Sequence, residues 1–300
     1  MSRLALVVTI GVAFGSGSVA NRFAIAELPA LTVSAARLVV ASLLFAALLL
    51  VRRPPLPRGH ELLPVALVGL GYVALPVMAF TAALRYISSG VQGVLFALLP
   101  LATAAIAHRW VPGERLTGRR LLGLLIGLAG VVALVASHTD GIGAGAFDAR
   151  GYVLTLLGVL SVAAAVVFGR RRLGSHQPLA VAAVQTFVGA LLTVPVALVA
   201  SSAALAGVAS APPLTLGVLA YLGMAASTLP FLATFTLVRR HGATDAALPG
   251  YLIPVVAASL GALLLGEQVT PALLGGGALV LASVLIVTRA PTDAGRTARR

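Results

Sequence analysis

The sequence predicts an all-α integral membrane protein, with ten transmembrane helices arranged as two inverted five-helix repeats. Composition, an internal repeat and the placement of arginine carry that prediction. Of 300 residues, 59% are hydrophobic and 10% are charged, against roughly 25% charged in an ordinary soluble domain. A helix needs about 20 apolar residues to cross a hydrocarbon core about 30 Å thick, so this length holds about ten crossings and no sizeable soluble domain. Only helices or a closed barrel satisfy every backbone group in lipid. Uninterrupted runs rich in Leu, Ala, Val and Gly lack the alternation of barrel strands, which leaves helices.

The second half repeats the first at an offset of 154 residues. The run Ala74-Leu75-Pro76-Val77-Met78-Ala79 returns as Thr228-Leu229-Pro230-Phe231-Leu232-Ala233, Arg85 as Arg239, Leu98 and Pro100 as Leu252 and Pro254, and Ala104 as Ala258. After one deletion the offset is 153, pairing Glu114 with Glu267, Thr117 with Thr270, Leu121 with Leu274 and Gly123 with Gly276. A repeated unit with an odd number of crossings must face opposite ways in its two copies. Inverted repeats are the architecture of secondary transporters, whose substrate site lies between the halves near the bilayer midplane.

Helices are expected near 3–24, 30–51, 61–84 and 88–108, the second, third and fourth followed by arginines. The fifth, near 118–137, starts after Thr117, which can cap it. The polar, glycine-rich segment from Ser137 to Ala146 reads as a linker, giving a first repeat at 1–137, a linker at 138–149 and a second repeat at 150–288. Within that second repeat, helices are expected near 150–169, 177–200, 214–238, 244–265 and 271–288, before a tail at 289–300. Thr270 caps the last helix, with Pro271 at its first position. Glycines at helical spacing, Gly123, Gly127 and Gly130, and the run Gly275 to Gly277, suit close approach of helices.

The net charge of +13, all from arginine, raises nucleic acid as a partner, but its distribution argues against that. Every second loop is basic: Arg3; Arg52, Arg53 and Arg58; Arg109, Arg115, Arg119 and Arg120; Arg170 to Arg172; Arg239 and Arg240; and Arg289, Arg296, Arg299 and Arg300. Those are 17 of 21 arginines on one side. Arg22, Arg85 and Arg150 fall on the other, and Arg37 lies inside a helix. Under the positive-inside rule both termini are cytoplasmic, which requires an even number of crossings. The start of the chain, with Ser18-Val19-Ala20 after an apolar run, also resembles a cleavable secretory signal. Its removal would leave nine helices and reverse the arginine asymmetry, so it is expected to stay as the first helix.

At this level of detail the chain resembles a known family. Phe14-Gly15-Ser16-Gly17-Ser18-Val19-Ala20-Asn21-Arg22 resembles the first-helix motif of EamA-type transporters in the drug/metabolite transporter superfamily, with Phe14 in place of a tryptophan. Further matches are Ala36-Arg37, Ala83-Leu84-Arg85-Tyr86, Ser88-Ser89-Gly90, Pro100-Leu101 and Gly113-Glu114-Arg115-Leu116-Thr117. Pro254 and Gly266-Glu267-Gln268-Val269-Thr270 follow in the second copy. The resemblance implies ten helices around a central cavity lined by the first, third, fourth, sixth, eighth and ninth. It also implies export of amino acids, related metabolites or small organic cations across the cytoplasmic (inner) membrane of a prokaryote. Import is the alternative.

Candidate residues follow from depth and chemistry. Pro76, Pro100, Pro230 and Pro254 interrupt four cavity-side helices at matching places, as hinges or as tolerated kinks. Arg37 lies about 10 Å from the end of the second helix by helical rise. It has two readings: contact with a solute carboxylate, or a structural bond to carbonyls and helix ends. Phe14, Ser16, Ser18, Tyr72, Phe96, Thr228, Phe231 and Tyr251 are the aromatic and hydroxyl side chains at mid-helix depth, suited to a mostly apolar substrate-binding pocket. Glu114 and Glu267 are expected beside helix starts, serving the helix dipole or pairing with arginine.

No acidic residue is expected at the midplane, which favours facilitated diffusion or exchange over a proton relay. Without cysteine, and with His60, His108, His138, His176 and His241 near loops without metal-ligand spacing, neither a metal nor another cofactor is expected. An intramembrane enzyme lacks a midplane His, Asp, Glu or Cys to use. A sensor without transport stays open. The expected partners are a small-molecule solute and membrane lipid, with oligomeric state unread.

Overall fold

The computed structural model describes residues 2–110, 118–136, 148–172, 176–201, 204–241 and 249–288. Secondary structure in these residues is helical throughout. The helices are α1 (Arg3–Glu27), α2 (Ala30–Arg52), α3 (Gly59–Ala83), α4 (Ser89–Trp110), α5 (Gly118–Ala136), α6 (Ala149–Arg172) and α7 (Pro178–Ala200). They continue with α8 (Pro213–Gly223, Met224–Thr228 and Leu229–His241), α9 (Pro249–Leu265) and α10 (Pro271–Thr288). Each coincides with an expected segment over its described residues. Among the described residues, seven helices are long and apolar enough to cross a membrane, and the stretches Leu121–Leu134, Leu252–Leu265 and Pro271–Ser283 are shorter apolar helices. A short helix, Ala204–Ala209, follows α7 and escaped the sequence reading.

Helix ends carry the expected chemistry where they are described. The Thr270 hydroxyl accepts from the Leu273 amide at 3.1 Å, capping α10. Ser2 does the same for α1 through the Ala5 amide, and Ser88 for α4 through the Val91 amide, each at 3.2 Å. Thr117, Glu114 and most of the linker lie outside the described residues. The bundle wears its apolar surface outward: Leu50, Val199 and Leu263 are exposed, as hydrocarbon contact demands.

Packing crosses between the halves. Helix α1 packs on α9 and α8, α4 and α3 on α6, α2 on α7 and α8, α3 on α7, and α5 on α10. A buried core of Leu38, Phe45, Val73, Val77, Val162, Ala182, Ala183 and Phe231 fills the centre. At the flank, α5 and α10 approach backbone to backbone. A Cβ on Gly130 would lie 2.8 Å from the Gly276 carbonyl, and one on Gly276 would lie 2.9 Å from the Gly130 carbonyl.

The proline-marked helices deform in three different ways. In α3 the turn Leu70–Ala74 is a π-turn directly before Leu75 and Pro76, and in α8 the turn Met224–Thr228 is a π-turn directly before Leu229 and Pro230. Helix α4 breaks between Phe96 and Leu99, just ahead of Pro100, whereas Pro254 sits inside the continuous α9. Pro195 inside α7 is a further interruption that the repeat did not mark.

The α5–α10 contact makes a stability prediction. Gly130→Ala should destabilise the protein by about 1–3 kcal/mol, the usual range for overpacking. Gly275→Ala adds a Cβ to open space and should be neutral. Thermal unfolding in detergent separates the two.

Candidate functional site

A cavity of about 120 Å³ lies at the centre of the bundle. Helix α1 supplies Ile10, Phe14, Gly17, Ser18 and Asn21, residues at the i, i+3, i+4 spacing of one helix face. Facing them are Arg37 from α2, Tyr72, Pro76 and Phe80 from α3, and Gln92, Phe96 and Pro100 from α4. Val162 from α6, Ala226, Phe231 and Thr234 from α8, and Pro249, Gly250 and Ile253 from α9 complete the wall. The implied set of lining helices therefore needs α2 added to it.

Rings form a continuous chain across this space. Phe80 meets Phe96 at a centroid distance of 5.4 Å, Phe96 meets Phe14 at 5.9 Å, Phe14 meets Phe231 at 6.2 Å and Phe231 meets Tyr72 at 6.0 Å. All are tilted or edge-on, the arrangements the ring quadrupole favours. The chain passes from α3 and α4 in the first half to α8 in the second through Phe14.

Of the nine residues expected to bind solute, Phe14, Ser18, Arg37, Tyr72, Phe96 and Phe231 meet at the cavity. Ser16 and Thr228 do not. The Ser16 hydroxyl donates to the Val12 carbonyl at 2.5 Å and lies 2.6 Å from the Tyr221 hydroxyl, off the cavity face. Its two-residue step from Phe14 turns it about 200° around the helix, whereas Ser18, four residues on, returns to the same face. Thr228 donates its hydroxyl to the Gly223 carbonyl at 3.0 Å, inside the π-turn of α8. The Tyr251 side chain lies outside the described residues. Of the expected hinges, Pro76 and Pro100 line the cavity and Pro230 and Pro254 do not.

Asn21, Phe80 and Gln92 were missed by sequence reasoning. Gln92 carried a usable signal, being an amide in an otherwise apolar helix. Its Nε2 donates to the Phe80 carbonyl at 2.7 Å.

Arg37 is buried and held inward. Its Nε donates to the Ser227 hydroxyl at 3.0 Å, and its Nη2 donates to the same hydroxyl at 2.8 Å and to the Ala226 carbonyl at 3.0 Å. Ser227 in turn donates to the Leu222 carbonyl at 2.8 Å. The guanidinium thus ties α2 to the π-turn of α8.

Beside the cavity residues Asn21 and Gln92, charge links the two halves. Glu267, in the α9–α10 connection, lies 3.4 Å from Arg22 Nε, accepts from the Ser89 amide at 3.0 Å through each oxygen, and accepts from the Ser89 hydroxyl at 2.6 Å. Arg22 also donates to the Leu84 carbonyl, and to that of Ile87 at 3.4 Å. The carboxylate therefore sits on the N-terminus of α4, where the helix dipole and an orphan amide favour an anion. Expected to serve a helix dipole or pair with arginine, it does both, with partners in the other half. Gly261 makes this possible, since a Cβ there would collide with the Glu267 carboxylate and the Ser89 hydroxyl.

The sequence of both halves matches a known family. The EamA-like transporter family model fits residues 1–136 and again 149–289. The chain belongs to the EamA-like transporter family. This EamA-like chain is 30% identical over 277 residues to the uncharacterized inner membrane transporter YedA of Escherichia coli K12, covering 91% of this chain and 86% of YedA. It is 27% identical over 296 residues to a probable terminal-alkyne amino-acid exporter of Streptantibioticus cattleyicolor, covering 95% and 92%. The uncharacterized protein PA1977 of Pseudomonas aeruginosa is 34% identical over 296 residues, covering 93% and 94%. A crystal structure shares the fold at a TM-score of 0.67 and 20% identity, covering 96% of each chain. The chain is a multi-pass membrane transporter, and family and relatives point away from an enzyme.

The Arg37 contact makes the site's own prediction. Ser227→Ala leaves two guanidinium edges without their shared acceptor, which should cost about 1–3 kcal/mol. Thr228→Val removes only a bond within one turn and should cost less. Thermal unfolding of the two purified variants ranks them.

Proposed function

We propose that this protein moves a small organic solute, an amino acid, related metabolite or drug-like cation, across the cytoplasmic membrane by alternating access, acting as an exporter. In this reading all ten helices cross the bilayer, residues 1–137 and 150–288 are inverted repeats joined by the linker at 138–149, and both termini and the tail at 289–300 are cytoplasmic. The observation that carries it is a central cavity walled by both halves, beside which an ion pair joins them.

Several features support the pseudo-twofold relation. Exchanging α1–α5 for α6–α10 maps the α1–α9 pairing onto α6–α4, α1–α8 onto α6–α3, and α2–α8 onto α7–α3, while α2–α7 and α5–α10 map onto themselves. The two π-turns share the repeat offset, and the family model fits each half separately. By the arginine asymmetry the Arg22–Glu267–Ser89 end is extracytoplasmic. Export draws support from the name of the Streptantibioticus relative.

In this reading Phe14, Ser18, Arg37, Tyr72, Phe96 and Phe231 contact solute, while Ser16 and Thr228 shape helices. Pro76, Pro100, Pro230 and Pro254 mark where helices bend. At about 120 Å³ the cavity is smaller than the roughly 300–1,000 Å³ of drug-sized sites, as a contracted state closed to the outside requires.

Two experiments test the proposal. Labelled amino acids and organic cations should show flux into proteoliposomes, with and without a pH gradient, and absence of any flux sinks it. The native chain has no cysteine, so single cysteines report accessibility cleanly. Cysteines at 140 and 267 should label from the same face, and Gln92→Cys should label several-fold faster from outside once Glu267→Gln or Gly261→Ala releases the Glu267 contacts. Opposite-face labelling of 140 and 267 overturns the inverted arrangement.

A further inference from the structure

We infer that Arg37, with Asn21, selects solutes by a carboxylate, so the cavity takes anionic or zwitterionic solutes and rejects organic cations. This rests on the transport reading and narrows it. Arg37 is the one charged side chain in the cavity wall among the described residues, and it is 6% exposed. Both of its hydrogen-bond partners, the Ser227 hydroxyl and the Ala226 carbonyl, are neutral. A buried cation without a counter-charge is costly, and the membrane interior offers no water to relieve it. A solute carboxylate would supply the missing anion.

Geometry leaves room for it. Arg37 spends Nε and Nη2 on α8, while Nη1 makes no hydrogen bond among the described residues. A guanidinium presents five donors in a rigid plane, so fixing one edge aims the other. Asn21 lines the same cavity, 4% exposed, and its Oδ1 has no hydrogen-bond partner. One unused donor edge and one unused acceptor suit a solute bearing a carboxylate and an amino group, with its apolar part against the Phe14 and Phe96 rings.

The rival reading is an organic cation held on the aromatic chain by cation–π attraction. Arg37 opposes it, because the cation would share a small apolar cavity with a like charge and no carboxylate.

Proteoliposomes holding the unaltered chain separate the two. Labelled phenylalanine, 3-phenylpropionate, phenylalaninamide and tetramethylammonium are offered in turn. The two carboxylates should be carried, and phenylalaninamide should be taken up with at least about tenfold lower apparent affinity than phenylalanine, the loss of one charge-assisted bond. Arg37→Gln should abolish that preference and Arg37→Lys should retain most of it. If Arg37→Gln does not fold, the comparison among solutes on the unaltered chain decides alone. Uptake of the amide or tetramethylammonium with an apparent affinity equal to that of the acids overturns the inference and leaves transport standing. No flux of any of the four overturns the transport reading itself.

Discussion

A carbonyl released from its helix inside hydrocarbon must find another donor, and the centre of this molecule is organised around that demand. The π-turns before Pro76 and Pro230 loosen two helices where the backbone is furthest from bulk water. Their carbonyls are met by side chains from elsewhere. Ser161 on α6 donates to the Gly71 carbonyl of α3 at 2.8 Å, and Arg37 on α2 donates to the Ala226 carbonyl of α8 at 3.0 Å. Each irregular helix is thus satisfied by a helix of the opposite half. Ser227 and Thr228 complete the second turn with bonds to Leu222 and Gly223. The interruptions that shape the cavity wall are the same features that stitch the halves together.

Much of the fold was legible because lipid constrains it so strongly. Helix order and approximate ends follow from apolar length and arginine position, two signals that tertiary packing scarcely alters. The form of each proline interruption was not legible. The same residue type precedes a π-turn, a break or a continuous helix, according to what the neighbouring helices offer. Pro254 forfeits the bond to the carbonyl four residues back, at Gly250, and Gly250 borders the cavity, so α9 continues without a π-turn. Site residues divided along similar lines. Phe14, Ser18 and Arg37 could be read from helical spacing and the cost of a buried charge. Ser16 shares their depth, but its angular position on α1 turns it off the cavity face. The reach of Glu267 to Ser89 spans 178 residues, and no local pattern encodes it.

The polar pole and the charged link are neighbours by construction. Asn21 precedes Arg22 in α1, and Gln92 lies one turn into α4 from Ser89. A solute group bound at Asn21 therefore sits one residue from the arginine that meets Glu267. Occupancy and closure share the same two helix segments, so a shift of α1 or α4 to accommodate solute moves the latch as well. The remaining lining adds the hydroxyls of Ser18, Tyr72 and Thr234 to apolar side chains such as Ile10 and Ile253.

Magnitudes order these contacts if the halves rock. The latch lies at the bundle end, with Arg22 at 20% side-chain exposure. Glu267 keeps only 7% of its side chain exposed, so breaking the pair without replacing its bonds leaves a largely buried charge, at a cost of about 3–5 kcal/mol. The Arg37–Ala226 and Ser161–Gly71 bonds lie where water cannot follow, and a buried partner left unsatisfied costs about 1–3 kcal/mol. The α5–α10 flank holds by backbone proximity at Gly130 and Gly276 and tolerates sliding better than separation. Rocking of the halves would therefore need water or solute to replace the bonds of Glu267 at the charged end, while the central bonds keep their partners.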